Sequence, residues 1–331
     1  MKPFIPSIFV TLLALLLAFL WAGGSGLFIC SLLVVMEVSF SFDNAVVNAT
    51  VLKEMSKKWQ QRFLTWGMLM SVAGMYYLFP IIVVAFASGL SLPDAMQMAT
   101  EHPKLYSQHL LSAHTQISSF GGMFLLMVVL SFLCDESKEL HWLGRIEQKL
   151  TRLGQIEAVE AVIALCALLV LQSFLPEASR LQAILAGVIG IVLYIVVHGV
   201  AALLGTGKKN KRAGTYSGWM GFLYINLLDA SFSLDAVIGS FAVSHDIVII
   251  LLGLSAGAMF VRSMTVYLVR KGTLMRYIYL EHGAYYGIGA LAVLMLASMI
   301  TPVSEIIIGL AGITFIILSL YSSIAYNKRH R

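Results

Sequence analysis

Two short segments of this 331-residue chain set carboxylates among apolar side chains. Glu37-Val-Ser-Phe-Ser-Phe-Asp43 and Asp229-Ala-Ser-Phe-Ser-Leu-Asp235 share one pattern, an acid at each end and two serines between. Both acids recur at an offset of 192 residues. Carboxylates, hydroxyls, the side-chain amide of Asn44 and backbone carbonyls are hard oxygen donors. They suit Mg²⁺, Ca²⁺ or Mn²⁺, whereas copper would call for soft sulfur ligands. The same acids are also able to relay protons, and an exchanger would need both roles. Salt bridges or interhelical hydrogen bonds are the structural alternative. Arg262 is the one deeply placed cation, and a single arginine does not neutralise four acids.

Spacing limits how these groups meet. Six residues of regular helix turn about 600°, which leaves Glu37 and Asp43 about 120° apart, with Asn44 directly below Glu37. Unwinding around Ser39–Ser41 would let all three converge with freed carbonyls. Ser39, Ser41, Ser231 and Ser233 would then satisfy the loosened backbone.

The elements that must position these residues are membrane helices. The chain is 59% hydrophobic and 12% charged, with a mean hydropathy of +0.86. Soluble domains carry roughly 25% charged residues. A bilayer core about 30 Å thick needs roughly 20 apolar residues per helix. Ten runs qualify, at about 5–23, 26–49, 63–90, 113–134, 157–176, 181–204, 217–241, 246–269, 282–300 and 303–325. Ala22-Gly23-Gly24-Ser25 has the look of a leader cleavage site, but the repeat below requires the first run as a helix. Nineteen of the 22 Lys and Arg residues fall on one side if both termini are cytoplasmic, as the positive-inside rule favours. The net charge of +5 sits in short loops and does not point to nucleic acid. Cys30, Cys134 and Cys166 are scattered and form no disulfide framework or zinc site.

Glu37 and Asp229 stand near the middle of their runs, where a charge costs roughly 2.5–3.5 kcal/mol on insertion scales. A functional site is therefore expected. His114 and His282 each stand seven residues before a glycine, Gly121 and Gly289, which extends the repeat. The expected fold is an all-α membrane protein of about ten helices in two inverted five-helix repeats, residues 1–178 and 179–331. Five is odd, so the second copy inserts upside down, as in many secondary transporters.

These residues resemble the TerC (tellurium-resistance) family of integral membrane proteins, above all a branch catalogued only as a domain of unknown function. The resemblance runs in order through Glu37–Ala49, His141-Trp142 with Glu147, Asp229–Asp235, Arg262-Ser-Met-Thr265 and Tyr279-Leu-Glu-His-Gly-Ala284. It implies metal-ion export, manganese above all, within a group of small-solute exporters. It also implies that Glu37, Asp43, Asn44, Asp229 and Asp235 form the cation site. Two positions depart from the family pattern: Asn226 stands where relatives usually carry Glu, and Tyr76 where Arg is common. One acid and one base are lost together.

Other polar residues carry expectations of their own. Arg262 pairs with Asp229 or Asp235, or reaches toward an interface. Glu281 and His282 start helix nine and His114 starts helix four, as gating or proton-access groups or as interface residues. Glu157 and Glu160 cap helix five or line a path into the site. Gly205-Thr-Gly-Lys-Lys-Asn210 does not meet the spacing of a phosphate loop. Residues 135–156 hold four acids and four bases and read as a surface amphipathic helix. No nucleophile–base pair or HExxH motif is present, so no enzyme is expected.

The sequence thus predicts an inner-membrane secondary transporter exporting a divalent cation, Mn²⁺ first, with protons as a candidate coupling ion. The alternatives are a membrane platform for metal or tellurite resistance acting through partner proteins, and an exporter of a small organic solute. No tightly bound cofactor is expected, and the partners are the bilayer, the cation and protons, with protein partners unknown.

Overall fold

The computed structural model describes residues 4–53, 55–67, 71–136, 138, 140–156, 158–204 and 218–329. Some side chains within these ranges, those of Asp43 and Asp235 among them, lie outside the described residues, as does the basic loop at 205–210. The described residues are mostly helical, with no strand among them. The helices are α1 (Ile5–Phe40), α2 (Phe42–Leu52), α3 (Lys57–Arg62), α4 (Phe79–Ser88), α5 (Leu92–Glu101), α6 (Pro103–Ser112), α7 (His114–Leu133) and α8 (Arg145–Leu153). They continue with α9 (Val159–Gln172), α10 (Glu177–Leu204), α11 (Trp219–Val243), α12 (Ile247–Lys271), α13 (Thr273–Arg276), α14 (Leu280–Ser298) and α15 (Glu305–Arg329). Two π-helical segments, Phe63–Gly67 and Ser71–Leu78, lie between α3 and α4.

Six helices among the described residues are long and apolar enough to cross a membrane. Many of their large apolar side chains face outward, including Phe9, Leu20, Phe28, Leu181 and Ile317. In water such a surface would aggregate, so the chain is a membrane protein. Two of the ten apolar runs form shorter helices. Run 63–90 is broken by the π-helical segments, with its apolar helical part at Tyr76–Phe86, and run 157–176 yields only Val159–Gln172.

α1 contains 36 residues, about 54 Å of regular helix and more than a bilayer core needs. It is not a straight rod. Ala22 and Gly23 leave helical geometry, Gly23 with φ of 64° and ψ of −150°. Only glycine adopts that conformation without strain. The two halves then meet α12 in opposite directions. At one end Phe4 lies against the rings of Phe260 and Tyr267, while Trp21 Nε1 donates to Asp246 Oδ2 at 3.0 Å. After the bend, Cys30 and Leu33 oppose Gly253, and Glu37 opposes Gly257. The segment is a helical hairpin, as the separate runs 5–23 and 26–49 require.

Gly253 and Gly257 form a stripe one turn apart on α12. A Cβ on Gly257 would come within 2.5 Å of the Glu37 Cβ, and one on Gly253 within 2.6 Å of the Leu33 Cβ. Small residues spaced in this way let membrane helices pack backbone to backbone. The stripe therefore sets how deeply Glu37 sits against α12. Filling it should cost about 1–3 kcal/mol, the usual range for overpacking. Gly257→Val is expected to lower the thermal midpoint of the detergent-purified protein. Gly24→Ala should not, because a Cβ there meets nothing within 4 Å.

Candidate functional site

The chain breaks at Ser41, between α1 and α2, where φ and ψ are −101° and 20°. The break lies inside the first acidic segment, at one of the serines expected to accommodate it. Ser41 N–H still donates to Glu37 O at 3.0 Å, and its hydroxyl donates to Glu37 Oε1, also at 3.0 Å. The serine thus holds both the loosened backbone and the acid above it.

Glu37 is buried, with 3% of its surface exposed. Its Oε1 accepts a second hydroxyl, from Tyr76 at 3.0 Å. Among the described residues no donor reaches its other oxygen, Oε2. Tyr76 belongs to the second π-helical segment, and π-helical turns often occur at functional sites.

Asp229 on α11 is met on both oxygens. Arg262 of α12 donates from Nη2 to Oδ2 at 2.7 Å, and Asn48 of α2 donates from Nδ2 to Oδ1. Arg262 is itself buried and anchored twice more. Its Nη1 donates to Phe63 O at 3.1 Å, and its guanidinium lies 4.6 Å from the centre of the Phe63 ring. Such a buried pair needs additional hydrogen bonds to offset desolvation, and Phe63 and Asn48 supply them.

Glu37, Ser41, Asn44, Tyr76, Asp229 and Arg262 line one cavity of about 20 Å³. A water needs roughly 10–15 Å³ by the same measure, so the space admits one water or one bare cation. Two further buried oxygens, Asn48 Oδ1 and Asn226 Oδ1, have no hydrogen-bond partner among the described residues. Hard oxygens are therefore plentiful at this level of the membrane. Described histidines, cysteines, aspartates and glutamates nowhere form a group of three able to hold a metal. Two acids of the motifs, Asp43 and Asp235, have side chains outside the described residues.

Of the residues singled out from sequence, the structure brings together Glu37, Asn44, Asp229 and Arg262 at the cavity, and Arg262 pairs with Asp229. Asn226 turns along its own helix, donating to Phe222 O at 2.6 Å. Glu281 and His282 are elsewhere, at the start of α14. Glu281 pairs with Lys53 at 3.1 Å, and His282 Nε2 lies 2.9 Å from Leu140 O and 3.5 Å from Glu147. His114 opens α7, Glu160 lies in the first turn of α9, and Glu157 falls outside the described residues. Asn48 was missed by sequence reasoning. Its signal was available: a second mid-span amide one helical turn beyond Asn44.

A model of the DUF475 family, proteins of unknown function, matches residues 42–330. The chain belongs to this family. The DUF475 match begins one residue past the break at Ser41. It covers Asp43, Asn44, Asn48, Tyr76, Asp229, Asp235 and Arg262, and leaves Glu37 with the rest of α1 outside. No curated protein matches the chain, and no solved structure does.

The ion pair gives a direct test of the site's electrostatics. Removing one partner of a buried pair typically costs about 3–5 kcal/mol, because the other charge is left uncompensated. Arg262→Gln is therefore expected to lower the thermal midpoint strongly. Adding Asp229→Asn to that variant should recover part of the loss, a non-additivity that melting curves of the two single variants and the double variant would reveal.

Proposed function

We propose that this chain is a secondary transporter exporting a divalent cation, Mn²⁺ first, across a bacterial inner membrane. The observation that carries the reading is the cavity at the Ser41 break, where one oxygen of buried Glu37 has no partner among the described residues and Asp229 lines the same space. Glu37, Asp43, Asn44, Asp229 and Asp235 are the proposed ligands. Their four acids, less the charge of Arg262, leave a formal excess of three negative charges. A divalent cation bound in this space would offset most of it.

The departure at Tyr76 sharpens the proposal. Asp229 has a guanidinium partner, whereas Glu37 receives two neutral hydroxyls, from Ser41 and Tyr76. An arginine at position 76, as in resembling proteins, would stand where a substrate cation can instead supply the charge. In this reading ten helices form two inverted repeats with both termini cytoplasmic. Alternating access between the repeats opens the site to either side, with protons as the countersubstrate. The likeness of the two acidic segments to tellurium-resistance proteins supports the same conclusion. An organic substrate fits less well, since sites for small molecules usually occupy about 300–1,000 Å³.

Proteoliposome flux tests the proposal. The purified chain should move Mn²⁺ under an imposed pH gradient, while Asp43→Asn and Asp235→Asn remain folded and inactive. Tyr76→Arg should also depress flux by placing a tethered cation beside Glu37, with Tyr76→Phe less affected. Absence of flux for Mn²⁺, Mg²⁺, Ca²⁺, Zn²⁺ and Fe²⁺ alike would reject metal transport and favour a platform that acts through partner proteins.

A further inference from the structure

The segment joining α7 to α9 has a surface that the cation site does not use. Its helix, α8, places three kinds of residue in three parallel stripes with the same i, i+4, i+7 spacing. Glu147, Thr151 and Gly154 face inward. Glu147 is fully buried and paired with Lys138, and it accepts from Leu143 N–H at 3.1 Å. Thr151 Oγ1 reaches Leu133 O at 3.4 Å, and the helix ends so close to Cys134 that a Cβ on Gly154 would collide with the Cys134 carbonyl. One residue back in each case, about 100° around the helix, lie Ile146, Leu150 and Leu153. Ile146 is 64% exposed and Leu153 39%. A further 100° around lie Arg145, Lys149 and Arg152, all exposed.

This arrangement leaves the outer surface of α8 apolar on one flank and basic on the next, because its sole acid is turned inward and neutralised. Asp135 and Glu136 precede the helix, at the end of α7. The exposed apolar surface does not stop at α8. Leu140 and Leu143 extend it on one side, Ile156 on the other, and Val162, Leu165 and Leu169 continue it along the apolar helix α9. Nor is the segment loosely held. Trp142 packs against the rings of Tyr279 and Tyr286 on the α14 side, and Leu140 O lies 2.9 Å from His282 Nε2.

We infer that α8 lies in the plane of the membrane surface, with Ile146, Leu150 and Leu153 against the acyl boundary and Arg145, Lys149 and Arg152 binding anionic phospholipid headgroups. An amphipathic helix with a basic face beside an apolar one has the chemistry of an interfacial lipid-binding element. Its position at the end of one membrane helix and the start of another brings it to headgroup depth. The continuity of its apolar flank with the lipid-facing side of α9 favours lipid over a soluble protein as the occupant. Anionic lipid attracts a basic residue near the surface by enough to alter binding about five-fold per charge.

Native mass spectrometry of the full chain, released from vesicles of equal phosphatidylglycerol and phosphatidylcholine, tests the inference. The wild type should retain phosphatidylglycerol preferentially. Arg145→Gln/Lys149→Gln/Arg152→Gln should lose most of that preference, by up to about five-fold per charge removed. Ile146→Ser/Leu153→Ser should retain less lipid of both kinds. Lys57→Gln/Lys58→Gln/Lys271→Gln removes the same charge from exposed positions elsewhere and should behave as the wild type. Equal loss in both triple variants would reduce the effect to net charge and overturn the inference. Unchanged phosphatidylglycerol retention in the α8 variant would overturn it too, and would leave the surface to a protein partner.

Discussion

A carboxylate at membrane depth finds no solvent to hold its charge, so the protein around it must. Arg262 and Asp229 are this chain's answer for one acid, and much of the local architecture follows from that pair. The guanidinium has to be fixed in place, which occupies the Phe63 carbonyl and ring beside a π-helical segment. The carboxylate has to be met on its second oxygen, which draws in Asn48 from α2. Four separate parts of the chain meet at one ion pair: α12 with Arg262, the acidic helix α11 with Asp229, the stretch around Phe63, and α2 beyond the break.

Glu37 is held differently. Its burial is set by the glycine stripe of α12, which leaves no room for a side chain between the two helices. Its hydrogen bonds come from two hydroxyls, so nothing described beside it brings a full positive charge except the guanidinium already committed to Asp229. The break at Ser41 accounts for how this is tolerated. The Ser41 N–H still meets the Glu37 carbonyl while its hydroxyl meets the Glu37 carboxylate, so the helix is interrupted without stranding either group. One acid met by a guanidinium and one held by neutral hydroxyls is the asymmetry on which the proposed cation site rests.

Much of this was legible in the sequence. The first acid of each motif, Glu37 and Asp229, lines the cavity, the lone intramembrane arginine pairs with Asp229, and Ser39–Ser41 marked the break. The hairpin at Gly23 was implicit in two apolar runs too long together for one crossing. What the sequence concealed depends on neighbours in space. Gly257 is an ordinary apolar-run glycine until Glu37 is found against it. Tyr76 looked like a lost charge, and only its hydroxyl at Glu37 gives it a role. Asn48 sits 181 residues from the aspartate it holds, a separation across which no local pattern carries. The contacts of His282 and Glu281, with Glu147, Leu140 and Lys53 at the start of α14, are likewise made across the chain and carry no local pattern. The run at 63–90 is helical where described, but its π-helical turns were not legible: composition fixes hydropathy, not whether successive turns close as α or as π.

The central claim is that the Glu37–Asp229 cavity is a cation site, and binding tests it more directly than transport. Equilibrium dialysis of Mn²⁺ against the detergent-purified chain should show saturable binding at one site per chain. Glu37→Gln, which keeps the shape of the side chain and its capacity to accept the Ser41 and Tyr76 hydroxyls, should abolish that binding while leaving the thermal midpoint near that of the wild type. Saturable Mn²⁺ binding that survives Glu37→Gln unchanged would contradict the account and place the cation elsewhere.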